Sequence, residues 1–246
     1  MDFDKLFDDI KKGKISKKEA RKRVNLDLLN ASKSAVLDIN RGIRTGIPEI
    51  VYGEYKTKEQ VIEIVENILQ KHENVIVSRF VDNDKLANHF RNQYPVYTGQ
   101  NIFVAGKLPE SNGHVLVVSG GTADHPISEE VELTLKAMGV NPLVYEDRGI
   151  AHPTRVHEAI EEGIQKNIKV AVVIAGFEGA LATYVSSLLS VPVIGVPTSV
   201  GYGYRSNESA FLAMLSSCMP NLAIVNIDGG IRAAVIASLI TKNSEK

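Results

Sequence analysis

The sequence predicts an α/β protein in which a parallel sheet with helices on both faces follows a smaller α+β amino-terminal domain. Short β-branched runs alternate with helical stretches after residue 113. These runs carry almost no charge, as is typical of parallel strands that are buried on both faces. A turn-rich polar segment, Pro109–Gly113, precedes them. We therefore predict one domain at residues 1–110 and a second at residues 111–246.

Periodicity and capping signals predict the elements of the amino-terminal region. One apolar helical face is formed by Phe3, Leu6, Phe7 and Ile10. Ser16–Glu19 and Thr57–Gln60 have the spacing of a capping box, so a helix is expected to begin at each. Further elements are predicted at residues 74–78 (strand), 82–92 (helix) and 102–105 (strand).

The carboxyl-terminal region repeats a strand and a helix. Strands are predicted at residues 115–118, 142–145, 170–175, 191–196 and 223–226. Helices are predicted at about 128–139, 154–166, 179–189, 207–217 and 230–241. The stretch Val170–Pro197 carries one charge, Glu178, and is long enough to cross a membrane. Its glycines and prolines instead divide it into strand, loop, helix and strand, so no membrane partner is expected.

Composition limits the partners and the compartment. The formal net charge is −1, with 19 basic and 16 acidic residues before residue 111 and 9 and 13 after it. This imbalance is too small to indicate nucleic-acid binding. A single cysteine excludes an internal disulfide, and Met1 leads into charged residues rather than an apolar secretory segment. We therefore expect a cytoplasmic protein.

Loops that follow the strands are the candidate site, because parallel sheets bind ligands at the carboxyl ends of their strands. The first loop, Ser119–Asp124, contains Gly120 and Gly121, whose backbone can approach an anion and present amide donors. Ser119 and Thr122 can add hydroxyl hydrogen bonds to a phosphate. A tight turn without a ligand is the alternative interpretation.

The second loop, Glu146–Arg155, gathers basic side chains after the second strand. Arg148 and Arg155 suit bidentate binding of a phosphate or a carboxylate. His152 can donate to the same anion or move a proton. The alternative is a surface histidine at the start of a helix.

The third and fourth loops add a carboxylate and a candidate lid. Glu178 lies between Gly176 and Gly179, and we expect burial to raise its pKa toward that of a general acid or base. An ion pair with a nearby arginine is the alternative. The fourth loop, Val196–Tyr204, has the small residues of a segment that covers substrate.

The one cysteine, Cys218, lies in a predicted loop between a helix and a strand. A reactive thiolate is typically found in such a loop, near a helix terminus or a cation that stabilises it. The alternative is a small residue of the buried core.

The four loops, in this order, resemble those of the aminoimidazole ribonucleotide carboxylase and carboxyaminoimidazole ribonucleotide mutase family. The matching segments are Ser119–Asp124, Ala151–His152, Ile174–Ala180 and Val191–Pro197. The resemblance covers residues 114–241 and implies a flavodoxin-like parallel sheet. It departs at Ala182, where the mutases have their catalytic histidine.

This departure, together with Glu178 and Cys218, resembles a sister family, the pyridinium-3,5-biscarboxylic acid mononucleotide synthases of nickel-pincer cofactor biosynthesis and lactate racemase maturation. Its amino-terminal signature is matched by Leu37–Arg41, Arg44–Gly46, Pro48–Gly53 and Lys56–Thr57. The resemblance then spans nearly the whole chain. It implies carboxylation of the pyridinium ring of nicotinic acid adenine dinucleotide, from CO2 or bicarbonate, with phosphoanhydride cleavage that releases AMP.

The resemblance implies the role of Cys218, and the chemistry of the reaction indicates the roles of the other residues. The cysteine at the position of Cys218 attacks the ring, Glu178 is the expected base, and His152 is the second choice for the base. Phosphates and the ring carboxylate are expected to contact the Gly-Gly loop, Arg148, Arg155, Gly176, Gly179, Pro197 and, from the amino-terminal domain, Arg41 and Arg44. Asp124 and Asp147 are expected to orient ribose hydroxyls or Mg²⁺, and no tightly bound cofactor is expected. The related carboxylases form octamers, which implies a homo-oligomer.

Two alternatives stay open. A mutase or carboxylase of purine biosynthesis would share the fold but would need a histidine that the third loop lacks. A non-catalytic nucleotide sensor would need the loops but not Cys218.

Overall fold

The structure, a computed structural model, describes residues 3–20, 23, 30–31, 36–37 and 46–244. Helix α1 spans Phe3–Lys11, as the apolar periodicity predicts. The Ser16 hydroxyl accepts a hydrogen bond from the Glu19 amide at 3.1 Å, which confirms the first predicted cap. Strands β1 (Asn30–Ala31) and β2 (Val36–Leu37) pair antiparallel. Arg41 and Arg44 lie outside the described residues.

A four-stranded mixed sheet forms the rest of the amino-terminal half. Its strands are β3 (Ile50–Tyr52), β4 (Asn74–Ser78), β5 (Val96–Thr98) and β6 (Ile102–Gly106), in the order β3-β4-β6-β5. Only β3 and β4 pair in parallel. Helices α2 (Lys58–Leu69) and α3 (Asn83–Phe90) pack on one face, and the predicted capping box at Thr57 begins α2. Strands β3 and β5 were not predicted, because three residues are too few to establish an alternation.

Five parallel strands form the carboxyl-terminal sheet. They are β7 (His114–Ser119), β8 (Asn141–Tyr145), β9 (Ala171–Ala175), β10 (Val193–Pro197) and β11 (Leu222–Ile224). Their order is β11-β10-β9-β7-β8, so the chain winds outward in both directions from the neighbours β7 and β9. This is the flavodoxin-like order, and ligands bind at its switch point. The predicted fold class is confirmed.

Helices cover both faces of this sheet. They are α4 (His125–Ala137), α5 (Thr154–Gln165), α6 (Ala180–Leu188), α7 (Ser206–Leu215) and α8 (Gly230–Ser244). Helices α4 and α8 contribute Val131 and Ala233 to the core of one face, and α5 and α6 contribute Ile160 and Val185 to the other. The stretch Val170–Pro197 forms β9, α6 and β10, as predicted. No helix within the described ranges is long and apolar enough to span a bilayer.

The two halves of the chain share an apolar cluster. Ile76 and Val104 of the four-stranded sheet are fully buried and pack with Ala137 at the end of α4. Asn74 Nδ2 also donates a hydrogen bond to the Ala137 carbonyl oxygen at 3.2 Å. Helix α4 is therefore covered by the parallel sheet on one side and by the mixed sheet on the other. The domain boundary near residue 110 stays a prediction.

A carboxyl group is buried close to this junction. Glu130 of α4 is only 1% exposed. Burial raises the pKa of Glu130 to about 7; among its neighbours Arg79 acts to lower this pKa and Asp228 to raise it. The uncharged form of Glu130 is therefore well populated near neutral pH.

As pH rises from 4.5 to 7, we expect the wild-type protein to lose stability that the Glu130→Gln variant does not lose. Because the folded state holds the Glu130 proton more tightly than the unfolded chain, the contribution of Glu130 to the free energy of unfolding falls as pH rises through this window. The expected fall is roughly 3 kcal/mol, since one pKa unit corresponds to about 1.4 kcal/mol. Urea unfolding at several pH values measures it. The exposed Glu161→Gln serves as the control, and identical pH dependence in the wild type and Glu130→Gln would contradict the prediction.

Candidate active site

A cavity of about 210 Å³ opens at the carboxyl ends of β7 and β9, where the strand order reverses. All four predicted loops contribute to its lining. The lining residues are Gly120, Gly121, Ala123 and Asp124 from the first loop, Gly149, Ile150 and Ala151 from the second, Ala175 to Glu178 and Ala180 from the third, Leu181 of α6, and Val200 from the fourth. The structure thus brings together the loops that the sequence analysis selected.

Two glycines allow these loops to approach one another. A Cβ atom at Gly149 would lie 2.8 Å from the Gly120 carbonyl oxygen, and one at Gly176 would overlap the Val200 carbonyl oxygen. Neither position accepts a side chain. The Phe177 amide also donates to the Val200 carbonyl at 2.8 Å. The predicted lid is therefore hydrogen-bonded to the third loop at its midpoint, Val200.

Asp124 is the buried carboxyl group of the cavity. Its Oδ1 accepts a hydrogen bond from the Thr198 hydroxyl at 2.7 Å, and its Oδ2 accepts one from the Gly121 amide at 2.9 Å. Burial raises the pKa of Asp124, while the two hydrogen bonds oppose that rise. A carboxyl group in this state is suited to proton transfer as well as to ligand binding. Thr198 was not singled out from the sequence, although it follows β10 directly at the same edge of the sheet.

Asp228 lies beside this group in the loop after β11. Its Oδ1 accepts a hydrogen bond from the Ser199 amide at 2.9 Å, and its own amide donates to the Pro197 carbonyl at 2.8 Å. It has a left-handed backbone, with φ at 54°. The sequence analysis missed Asp228, although an Asp-Gly-Gly sequence directly after the fifth predicted strand was an available signal. Pro197 itself therefore supports the loops and is not among the residues that line the cavity.

Glu178 lines the cavity, but the expectation that it is buried is wrong, because its side chain is exposed. Phe177 and Gly179 on either side both have left-handed backbones, with φ at 53° and 65°. The loop therefore turns at the mouth of the cavity, where water can solvate the carboxylate. The role of Glu178 as the base stays a proposal.

The charged side chains of the second loop do not line the cavity. Arg155 forms an ion pair with Asp147 at 3.4 Å. Arg148 pairs with Glu158 at 3.4 Å and lies over the Tyr145 ring, 5.6 Å from its centroid. Phosphate binding by the two arginines stays a prediction, and it would require new side-chain conformations.

The hydroxyl and imidazole groups that were predicted for the site lie at its margin. Ser119 is fully buried at the end of β7, and its Oγ has no hydrogen-bond partner among the described residues. Thr122 is exposed. His152 is also exposed, and its Nδ1 lies 2.8 Å from the Thr154 hydroxyl. None of the three lines the cavity.

Asp124 and Asp147, which were predicted to orient ribose hydroxyls or Mg²⁺, lie in different surroundings. Asp124 is buried in the cavity, whereas Asp147 is exposed and paired outside it. Within the described part of the chain, no three His, Cys, Asp or Glu side chains lie close enough together to hold a metal ion. Magnesium binding by Asp124 or Asp147 stays a prediction, and the steps proposed for the reaction do not depend on it.

Cys218 is exposed in the loop between α7 and β11, so it is not a core residue. It does not line the cavity. The neighbouring Ser217 hydroxyl lies 2.8 Å from the Thr183 hydroxyl of α6, and the first residues of α6, Ala180 and Leu181, do line it. The thiol therefore lies on the outer side of the helix that borders the cavity.

Comparisons with known proteins match both halves of the chain. A LarB/PurE-like N-terminal domain matches residues 29–98, and AIR carboxylase matches residues 114–246. An uncharacterized protein of Methanocaldococcus jannaschii is 35% identical over 246 residues, which cover 96% of this chain and 95% of that protein. The N5-carboxyaminoimidazole ribonucleotide mutase of Pyrococcus abyssi is 29% identical over 124 residues, with coverages of 49% and 69%. The crystal structure of Treponema denticola PurE has 21% identity and a TM-score of 0.45 over 54% of this chain and 82% of that one.

Proposed function

The chain belongs to the AIR carboxylase family, and on this premise we propose that it carboxylates the pyridinium ring of nicotinic acid adenine dinucleotide. Hydrolysis of the phosphoanhydride by water would release AMP and leave pyridinium-3,5-biscarboxylic acid mononucleotide, the first intermediate of the nickel-pincer cofactor. The observation that carries the proposal is the presence, in one chain, of an AIR carboxylase domain and a LarB/PurE-like N-terminal domain.

The cavity favours this reaction over that of a purine mutase. At the position where the resemblance places the mutase histidine, the chain has Ala182, which is fully buried on α6. Among the described residues, no histidine lines the cavity. The side chains there that can move a proton are the carboxyl groups of Asp124 and Glu178.

Covalent catalysis makes the ring reactive. A pyridinium ring is too electron-poor to attack CO2, but addition of a thiolate at C4 gives a dihydropyridine whose C5 is nucleophilic. C5 then forms a bond to CO2. A base removes the C5 proton, and departure of the thiolate with the C4–S bonding pair restores the aromatic ring. CO2 has then replaced one proton, without a net change of oxidation state.

The cavity residues supply the remaining functions. Gly120 and Gly121 line the cavity at the end of β7, where the lack of a side chain lets a phosphate approach the backbone. In this structure their amides donate to the Ile174 carbonyl oxygen and to Asp124 Oδ2. Glu178 stands at the mouth of the cavity, where a solvated carboxylate can accept the C5 proton and pass it to water. Asp124 can donate or accept a hydrogen bond deeper in the cavity.

Cys218 must be brought to the cavity from the outer side of α6. Either the loop at residues 216–219 moves, or a second copy of the chain supplies its cysteine. Helix α7 presents the exposed side chains of Leu212 and Leu215 close in sequence to Cys218. An apolar surface at this position supports assembly into a homo-oligomer in which the thiol is covered.

Incubation with nicotinic acid adenine dinucleotide and labelled bicarbonate tests the proposal. We expect acid-stable label in a pyridinium mononucleotide and one AMP released for each label incorporated. Carboxyaminoimidazole ribonucleotide is the comparison substrate. Turnover of that compound, with no label in the pyridinium product, would replace the proposal with a purine mutase.

A further inference from the structure

A second groove, of about 510 Å³, lies at the carboxyl end of β11. One wall comes from the mixed sheet, through Ile50 and Arg79, and the other from the first turns of α8, through Arg232 and Val235. None of the catalytic or substrate-binding residues that were predicted from the sequence and lie within the described ranges lines it. It is larger than the cavity at β7 and β9, and both halves of the chain contribute to it.

Positive charge gathers at one part of this groove. Arg232 is exposed and has no ion-pair partner among the described residues. Arg79 Nη2 donates a hydrogen bond to the Asp228 carbonyl oxygen at 2.7 Å, which holds its guanidinium group at the groove. The amino terminus of α8, a 15-residue helix, adds the partial positive charge of the helix dipole, and its Ile231 amide donates to Glu130. Together these groups suit a phosphate monoester.

The groove also offers an acceptor and apolar walls. Glu130 forms part of the lining, is 1% exposed, and has an Oε1 atom without a hydrogen-bond partner among the described residues. A buried carboxyl group of this kind can accept hydrogen bonds from the hydroxyls of a ribose. Ile50, Val235 and Ile236 provide apolar surface against which a flat ring can pack. A phosphate, a sugar and a ring are the parts of a nucleotide.

One loop separates the groove from the first cavity. Asp228 lines the groove and bonds to Pro197 and Ser199, while Val200 of the same loop lines the cavity. The cavity alone is too small for a dinucleotide, because pockets for drug-sized ligands have roughly 300–1,000 Å³. A ligand that occupies both would cross the loop at residues 197–200.

We propose that this groove binds the adenylate half of the dinucleotide, with its phosphate between Arg79 and Arg232 and its ribose hydroxyls on Glu130. The assignment rests on the proposed function for the choice of dinucleotide. It adds a nucleoside monophosphate subsite to which the amino-terminal half contributes Arg79.

Calorimetric titration of the full chain with AMP tests the assignment. We expect Arg232→Gln to weaken AMP binding by about tenfold or more, because a charge-assisted hydrogen bond contributes roughly 1.5–3 kcal/mol. Arg79→Gln is expected to have an effect of similar size. Adenosine and inorganic phosphate should each bind more weakly than AMP. Since Arg232 is exposed, its substitution should not alter the unfolding midpoint.

The control is Arg91→Gln, which removes an exposed arginine outside the groove. Unchanged AMP affinity in Arg232→Gln and Arg79→Gln, or an equal loss in Arg91→Gln, would overturn the assignment. So would the absence of AMP binding to the wild-type protein. If the protein carboxylates the dinucleotide but AMP does not bind in the groove, the subsite is refuted and the proposed function is kept. If AMP binds in the groove but no carboxylation occurs, the proposed function is refuted and the nucleotide subsite is kept.

Discussion

Cys218→Ala is expected to abolish carboxylation of nicotinic acid adenine dinucleotide while leaving the thermal unfolding midpoint unchanged. The thiol is exposed and contributes little packing, so its loss should not destabilise the fold. Without a thiolate, the ring cannot be converted into a nucleophile. Cys218→Ser should be equally inactive, because a hydroxyl does not supply the anion near neutral pH. Incorporation of labelled bicarbonate and scanning calorimetry measure the two effects.

Ser216→Ala is the matched control, since Ser216 is exposed in the same segment. It should carboxylate at the wild-type rate. Normal activity in Cys218→Ala would remove the cysteine from the mechanism. Loss of folding would return Cys218 to a structural role.

Mixing two inactive variants shows how the thiol reaches the ring. Chains with Cys218→Ala retain Glu178, and chains with Glu178→Gln retain the cysteine. Activity should reappear after the two are unfolded and refolded together only if one copy supplies the thiol to the cavity of another. Continued inactivity would assign the attack to the cysteine of the same chain.

Glu178→Gln is expected to lower the formation of carboxylated product by about two to four orders of magnitude. The amide keeps the shape of the side chain and removes the base. Addition of Cys218 to the ring does not need that base, so the covalent adduct should still form. Mass spectrometry of the intact protein would detect it.

The exposed Glu161→Gln, on α5, controls for the loss of one negative charge. Near-normal turnover in Glu178→Gln would exclude Glu178 as the base. The assignment would then pass to Asp124, which is buried in the same cavity, or to His152 at its margin.

Much of the fold was predictable because its signals are local. Strands β7 to β11 are apolar runs between turn residues, and the caps at Ser16 and Thr57 satisfy donors within three residues. Strands β3 and β5 are held by their neighbours in the mixed sheet and carry little signal of their own. The cluster of Ile76, Val104 and Ala137 joins residues far apart in sequence, which periodicity cannot pair.

The site was predictable in its loops but not in its side chains. Strand order places the loops together, so Gly120, Gly121, Gly176 and Asp124 were found in the cavity, whereas the predicted Gly179 does not line it. Side-chain direction depends on backbone angles that the sequence does not display, such as the left-handed Phe177 and Gly179 that leave Glu178 exposed. Thr198 was missed because its role depends on a hydrogen bond to Asp124, which lies 74 positions away in the sequence.

Helix α4 runs from the cavity, past the groove, to the mixed sheet. It begins next to Asp124 in the cavity, carries Glu130 at the groove, and ends with Ala137 against the mixed sheet. Its 13 residues form a rod about 20 Å long. Because Ala137 is packed against the mixed sheet and Asp124 directly precedes the first turn, this one helix spaces the carboxyl group of the cavity from the amino-terminal half. The amino-terminal half thus helps to hold in place a cavity that its own described residues do not line.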